Sequence, residues 1–364
     1  MKVILSGGGT GGHVYPAIAV ADALKELMPQ VQILFVGAKG RMEMEKVPAA
    51  GYEVKGLWIS GLDRKLSLRN LMFPVKVVSS LMKAHSIIAQ FKPDVVAGFG
   101  GYASGPLLRA AAWRDVPVVI QEQNSYAGMT NRLLAGKAEK ICVAYPGMEK
   151  FFEPEKIVLT GNPVRKDLQD LKTRRAEALS FFGLDDTKRI LLLFGGSLGA
   201  RTLNEVMRSQ AGFFRKHDDI QVLWQMGKLY ADIYAKSETA QLQNVRALPF
   251  IDRMDLAYAA ADVVICRAGA LTISELCLAG KAAILVPSPN VAEDHQTKNA
   301  QALVDHGAAV MVADDSPAEA VLRAVIDILD QPEKKFGLEV SIATLAKPDA
   351  AQRIAELILN TAKS

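Results

Sequence analysis

The sequence is poor in the features that would place a chain in a specialised class. Three cysteines, Cys142, Cys266 and Cys277, are scattered through 364 residues. They cannot form a disulfide framework, so a reduced, cytosolic protein is the simplest expectation. Neither sign of charge dominates, with 43 Lys and Arg against 39 Asp and Glu and a net +4. A balance so mild, with acids spread throughout, argues against nucleic acid as a partner. No apolar run approaches the ~20 residues that span a bilayer. Glycines interrupt the apolar start after Ser6, so no secretory signal is expected. Low-complexity linkers and short-period repeats are also missing.

What is present is glycine in two concentrated places. Residues 3–24, VILSGGGTGGHVYPAIAVADAL, and residues 190–207, ILLLFGGSLGARTLNEVM, each read as a short apolar strand, a glycine-dense turn and an amphipathic helix. Glycines let backbone amides approach an anion closely, and the helix start adds partial positive charge. One such phosphate cradle per half leads to the expectation of a phosphate-bearing ligand held between the halves.

The length exceeds what one core organises, which predicts two domains. Hydrophobic residues make up 50% and charged residues 23%, an ordinary globular balance. The candidate strands of the first half are Val3–Ser6, Gln32–Val36, Asp94–Gly98, Val116–Gln121 and Lys140–Ala144. Those of the second half are Ile190–Phe194, Ile220–Gln225, Val245–Leu248, Asp262–Cys266, Ala282–Val286 and Ala308–Val312. Short, continuously apolar strands separated by helices predict an α/β chain with buried parallel sheets, built as two Rossmann-like domains. The break falls in LTGNPVRKDL, giving domains of residues 1–162 and 163–347. An amphipathic tail, residues 348–364, is expected to pack back on the first domain.

Gly7, Gly9 and Gly12 satisfy the dinucleotide pattern G-x-G-x-x-G. That reading also needs an acid at the end of the second strand, where FVGAKGR offers none. The second glycine loop lacks the pattern and carries no Walker lysine. No acidic pair occupies a crevice position, since Asp185-Asp186 precedes a strand and reads as a turn. Neither a metal nor any other cofactor is therefore expected.

The segment 266–303 carries the second half's chemistry. A strand runs into Gly269, a helix starts near Leu271, and Glu275 follows one turn later. A carboxylate there can accept both vicinal hydroxyls of a ribose. Thr272-x-x-Glu275 is equally a capping box that stabilises the helix and nothing more. A polar loop with Glu293, Asp294, His295 and Gln296 then follows a strand end, where α/β sheets bind ligands.

GGGTGGHVYPAIAVA, GFGGYASGP, QEQNSYAG, GNPVR, GGSLGA, RAGALTISE and DHQTKNA occur in this order along the chain. Together they resemble the MurG family of glycosyltransferases, over almost the whole length. The resemblance implies a GT-B architecture of two Rossmann-like domains facing across a cleft. It implies a hexosyltransferase of peptidoglycan synthesis that moves N-acetylglucosamine from UDP-GlcNAc to lipid I, with inversion. It further implies peripheral attachment to the anionic cytoplasmic face of the inner membrane, beside other cell-wall synthesis proteins. The donor site would comprise Thr10, Gly11, Gly12, Asn124, Arg165, Ser197, Ile251, Ala270, Leu271, Thr272, Ile273, Ser274, Glu275 and Gln296. In that set Ile251 would offer backbone to uracil, Glu275 would take the ribose, and Ser197, Arg165 and the 270–272 amides would neutralise the diphosphate. Asn124 and Gln296 suit sugar hydroxyls. Bland readings stand beside these: Asn124 as a turn former, Arg165 as a solvated residue, Ser197 as a helix cap.

The attacking C4 hydroxyl of the muramyl sugar needs a base. His13, inside a glycine loop at a helix start that disfavours imidazolium, is one candidate, and Glu122 in QEQN is the other. For the membrane, residues 64–83 mix apolar and basic side chains, with Arg69, Leu71, Phe73 and Lys76 as candidate contacts. An ordinary amphipathic helix burying the same apolar residues, with Pro74 complicating its continuity, is the alternative. Three rival functions share the fold: a GT-B transferase for another sugar or acceptor, a UDP-GlcNAc 2-epimerase, and a nucleotide-sugar sensor without turnover.

Overall fold

The computed structural model describes residues 1–61, 72–164, 168, 171–291 and 294–363. The chain divides into two compact units, Met1–Val164 with Lys347–Ser364, and Arg165–Ala346. Each is a wholly parallel sheet with helices on both faces, so the strands are buried on both sides and read as continuous apolar runs.

In the first unit the strands are β1 Lys2–Ser6, β2 Gln32–Ala38, β3 Glu53–Leu57, β4 Val95–Gly98, β5 Val118–Glu122, β6 Lys140–Val143 and β7 Ile157–Leu159. They lie in the order β3-β2-β1-β4-β5-β6-β7. Alternation along β1 sends Val3 and Leu5 to one face and Ile4 to the other. The first face is covered by the helix Gly11–Leu27 and the last helix, Ala350–Thr361, whose Ile354, Ala355, Ile358 and Leu359 join the same core. The helices Phe73–Phe91 and Ser104–Ala112 cover the second. Gly161 (φ +87°) lets the returning chain pass, because a Cβ there would lie 2.4 Å from Lys347 Cβ.

In the second unit the strands are β8 Arg189–Phe194, β9 Ile220–Gln225, β10 Val245–Leu248, β11 Val263–Cys266, β12 Ala283–Leu285 and β13 Val310–Met311. Their order, β10-β9-β8-β11-β12-β13, repeats the first unit's without its seventh strand. Each unit thus has the Rossmann-like topology expected from the alternating pattern. Strands β3 and β7 were not among the candidates, and β13 is shorter than the Ala308–Val312 expected. All three cysteines are buried. Burial pushes the thiols of Cys142 and Cys277 up to about 12, and that of Cys266 up as well, which makes them inert packing groups.

Candidate active site

Strand order reverses between β1 and β4, and again between β8 and β11. At such switch points the loops leaving the two strands diverge and open a crevice beyond their carboxyl ends. In the first unit these loops are residues 7–10 and 99–103, and in the second 195–200 and 267–269. All four lie within the motifs picked out by sequence.

In the first unit Thr10 is the N-cap of the helix Gly11–Leu27, in an extended conformation with no side-chain cap. Gly11, Gly12 and His13 therefore form its first turn, where the His13 amide bonds back to the Thr10 carbonyl (3.1 Å) and the amides of Gly11 and Gly12 precede the intrahelical ladder. His13 Nδ1 lies 2.9 Å from the Gly8 carbonyl and 3.3 Å from Thr10 Oγ1. A carbonyl can only accept, so Nδ1 carries the proton and the neutral ring has its lone pair on Nε2. Gly100 (φ +90°) makes room for the ring, since a Cβ there would stand 2.8 Å from His13 Cδ2.

Glu43 was not singled out by sequence. It is fully buried, and its carboxylate accepts from the amides of Gly9 (3.0 Å) and Ala38 (2.8 Å). An acid does therefore reach the end of β2, contributed from farther along the chain. Buried and engaged in this way it cannot hold a ribose, so the dinucleotide reading still fails. The carboxylate also fills the anion-binding position at the Gly9 amide, leaving the helix start as the anion-facing part of the loop. Nothing in RMEMEK marks Glu43 as buried; the signal lies in Gly8 and Gly37, which flank it. Tyr102 is a second residue that sequence missed. It is 48% exposed, and its ring lies over Gly9.

Glu122 ends β5 and is 1% exposed. Oε1 accepts from Asn124 N (3.0 Å) and Nδ2 (3.3 Å), and Oε2 accepts from Gly128 N (2.9 Å) and Asn131 Nδ2 (2.8 Å). A carboxylate with four donors clamps the loop that presents Asn124, and protonating it would break that clamp. Of the two candidates for a base, Glu122 is thus committed to this clamp, while His13 keeps a lone pair on Nε2.

In the second unit the loop after β8 is shaped by Gly196 (φ +82°) and Gly199 (φ +80°). The following helix, Arg201–Ser209, has Ala200 as its N-cap, so Ser197 lies in the loop and does not cap it. Gln225 ties the loop to the turn after β10, donating to Gly196 O and accepting from the Ile251 amide, both at 2.9 Å. A uracil that accepted from this amide would first have to displace Gln225, which qualifies the reading of Ile251 as an open backbone contact.

The helix Ala270–Ala279 has Gly269 as its N-cap. The capping-box reading is thereby corrected: Thr272 stands inside the first turn, with its hydroxyl directed back toward Gly269. The amides of Ala270, Leu271 and Thr272 form the anion-facing end. Ile273 is 2% exposed, so only its backbone is at the site, and the Ser274 hydroxyl bonds to the Ala270 carbonyl (3.1 Å). The Glu275 carboxylate is held by Tyr258 Oη, which donates to Oε2 at 3.1 Å. Gln296 Oε1 accepts from Ser288 N (2.8 Å), which turns its NH2 into the donor end. Arg267 donates to the carbonyls of Val286 (3.0 Å) and Pro287 (3.2 Å) and pairs with Asp314, fixing the crevice wall. Among the described residues no three His, Cys, Asp or Glu side chains gather to hold a metal.

Arg165, Arg69 and Leu71 lie outside the described residues. Phe73 is partly buried, because helical spacing turns it with Val77 onto the core. Lys76 Nζ turns to Ser60 Oγ (2.9 Å) and the Trp58 ring. Pro74 sits in the first turn and begins the helix. The outward stripe is instead Met72 (44% exposed), Val75 (51%), Val78 (55%) and Met82 (65%). No described helix is long and apolar enough to cross a membrane.

The two units correspond to family models. Residues 3–143 match the glycosyltransferase family 28 N-terminal domain, and residues 190–354 match the C-terminal domain of that family. The chain is 52% identical over 356 residues, 98% of its length and 96% of the relative's, to a Christiangramia forsetii protein. That protein is named UDP-N-acetylglucosamine–N-acetylmuramyl-(pentapeptide) pyrophosphoryl-undecaprenol N-acetylglucosamine transferase. The chain belongs to the MurG family.

Its folding pattern is that of a GT-B glycosyltransferase. The crystal structure of Acinetobacter baumannii MurG is similar at 32% identity and TM-score 0.78, covering 99% of both chains. A UDP-GlcNAc 2-epimerase from Neisseria meningitidis is similar at 15% identity and TM-score 0.71, covering 99% of this chain and 100% of its own. That likeness concerns the fold alone. Within the MurG family frame, the loops at the two switch points carry four of the seven ordered motifs.

Proposed function

We propose that this chain transfers N-acetylglucosamine from UDP-GlcNAc to the C4 hydroxyl of the muramyl sugar of lipid I, giving lipid II. The observation that carries the reading is 52% identity across 98% of the chain to a transferase named for this donor and this acceptor. The second unit holds the donor. Glu275, steadied by Tyr258, accepts the ribose hydroxyls, and Ile251 faces the uracil. Ser197, the amides of Ala270, Leu271 and Thr272, and Arg165 meet the diphosphate. Gln296, through its NH2, and Asn124, on the loop clamped by Glu122, address the sugar. Thr10, Gly11 and Gly12 complete the set from the first unit, which handles the acceptor.

His13 Nε2 takes the proton as the C4 oxygen attacks C1 from the face opposite UDP. The C1–oxygen bond breaks, its electron pair leaves with UDP, and the anomeric configuration inverts. Charge growing on the diphosphate is met by preorganised amides and one arginine, so the chemical step needs no metal. The enzyme works peripherally at the cytoplasmic face of the inner membrane. Its contact is the outward stripe Met72, Val75, Val78 and Met82, with Lys83 at the rim.

The test is UDP release from UDP-GlcNAc with and without a short-chain lipid I analogue. Release that depends on the analogue and yields a disaccharide by mass spectrometry is the expected result. Release without the analogue favours an epimerase or hydrolase, and tight UDP binding without release favours a sensor.

A further inference from the structure

Glu43 has no part in the chemistry above, and its setting is unusual. The side chain leaves the start of the helix Glu43–Ala49 and enters a slot between the first glycine loop and the end of β2. Two glycines make that slot. A Cβ at Gly8 would lie 2.1 Å from Glu43 Oε1, and one at Gly37 would lie 2.4 Å from Glu43 Cγ. A buried carboxylate is costly unless its oxygens are satisfied, and here Gly9 and Ala38 each donate an amide to it.

The Gly9 amide and the Gly8 carbonyl belong to one peptide group. On one side that group donates to Glu43 Oε2 at 3.0 Å. On the other it accepts from His13 Nδ1–H at 2.9 Å. The three groups form a continuous hydrogen-bonded chain of carboxylate, peptide and imidazole.

We infer that Glu43 is a positioning residue for His13, acting through the Gly8–Gly9 peptide as a carboxylate acts directly on a catalytic histidine. This rests on the reading of His13 as the base. Hydrogen bonds in series polarise one another. The anion behind the amide makes the Gly8 carbonyl a stronger acceptor, which fixes the Nδ1–H tautomer and favours the imidazolium that forms as Nε2 takes a proton. The start of the helix Gly11–Leu27 opposes that charge. Glu43 offsets the helix and keeps the ring basic enough to work. Thr10 and Tyr102 also face this loop. Neither supplies a negative charge at neutral pH. Glu43 is fully buried, so it acts only through the peptide.

The experiment uses the full chain with isotopically labelled histidine, and His13→Ala assigns the His13 ring signals by NMR. The wild-type neutral ring is expected as the Nδ1–H tautomer. In Glu43→Gln its titration should move down by about one pH unit, the scale of one charge acting through partly solvated protein. The acid limb of kcat/KM should move with it, while the KM for UDP-GlcNAc stays within about twofold. A misplaced fold alone would not shift both titrations together. An Nε2–H tautomer in the wild type overturns the inference, and this measurement stands even if Glu43→Gln does not fold. A His13 titration unmoved in Glu43→Gln also overturns it. A ring titration that moves while the acid limb stays supports the relay and overturns His13 as the base.

Discussion

Replacing Tyr258 by Phe tests whether Glu275 holds the donor's ribose. Tyr258 is fully buried on the helix Met254–Ala260, and its ring packs edge-on against Phe194 with centroids 6.0 Å apart. Phenylalanine keeps that packing and removes only the hydroxyl that donates to Glu275 at 3.1 Å. A hydrogen bond to a charged acceptor contributes about 1.5–3 kcal/mol, but most of this is present with or without donor. What binding newly costs is ordering a carboxylate that has lost this donor, about 0.5–1.5 kcal/mol. At 1.4 kcal/mol per tenfold, the KM for UDP-GlcNAc should rise about twofold to tenfold, with kcat within twofold. Initial rates of UDP release measure this directly. A donor lacking the ribose 2′-hydroxyl separates mechanism from general damage, because the penalty should shrink when Glu275 has less to hold. An unchanged KM, or an equal penalty with both donors, refutes the ribose role.

Other perturbations test other parts of the molecule. Gly100→Ala puts a Cβ 2.8 Å from His13 Cδ2 at φ +90°. It should lower stability by about 1–2 kcal/mol by thermal melting and reduce kcat by about tenfold or more, with the KM for UDP-GlcNAc little changed. Burial pushes the Lys281 ammonium down from 10.5 to about 8. Between those values the unfolded chain keeps a proton that the folded chain has lost, so folding gains as pH rises. Relative to Lys281→Met, the wild type should gain about 2–3 kcal/mol in denaturant titrations from pH 7 to pH 10, and a pH-independent difference refutes this. Thorough chelation should leave turnover within about twofold; loss of activity that Mg²⁺ or Mn²⁺ alone restores would refute a metal-free step. Val78→Glu with Met82→Glu should cut binding to anionic liposomes at low salt by about fivefold or more, and undiminished binding removes this stripe as the contact.

The sheet centres were legible because parallel strands buried on both faces must be continuously apolar, as ILLLF of β8 is. The strands missed, β3 and β7, are the two edges of the first sheet. EVKGL is interrupted by polar residues and IVL is only three residues long, and neither is buried along its whole length. The ligand loops were legible as glycine clusters, since backbone shape there requires glycine. Roles within them were less so. Thr272-x-x-Glu275 fits a capping box as a string, and only the place where the helix starts, at Gly269, decides against it. Phe73 looked like a lipid contact until the helix phase turned it inward. Glu43 was invisible because its partners are the amides of Gly9 and Ala38 and the side chains that Gly8 and Gly37 lack, none of which a residue pattern announces.

The last helix has a consequence for how the protein is made. Ile354, Ala355, Ile358 and Leu359 complete the core that contains Val3, Leu5, Val14 and Val20. A ribosome makes those partners first and the covering helix last. The first unit is therefore begun before the second and closed only after the whole of the second has emerged. During that interval the bare flank of the helix Gly11–Leu27 is exposed to solvent. The nascent chain carries a sticky surface that holding chaperones would bind, and a ribosome stalled within the helix Ala350–Thr361 would release a protein whose defect lies more than 300 residues earlier in its sequence, against the helix Gly11–Leu27.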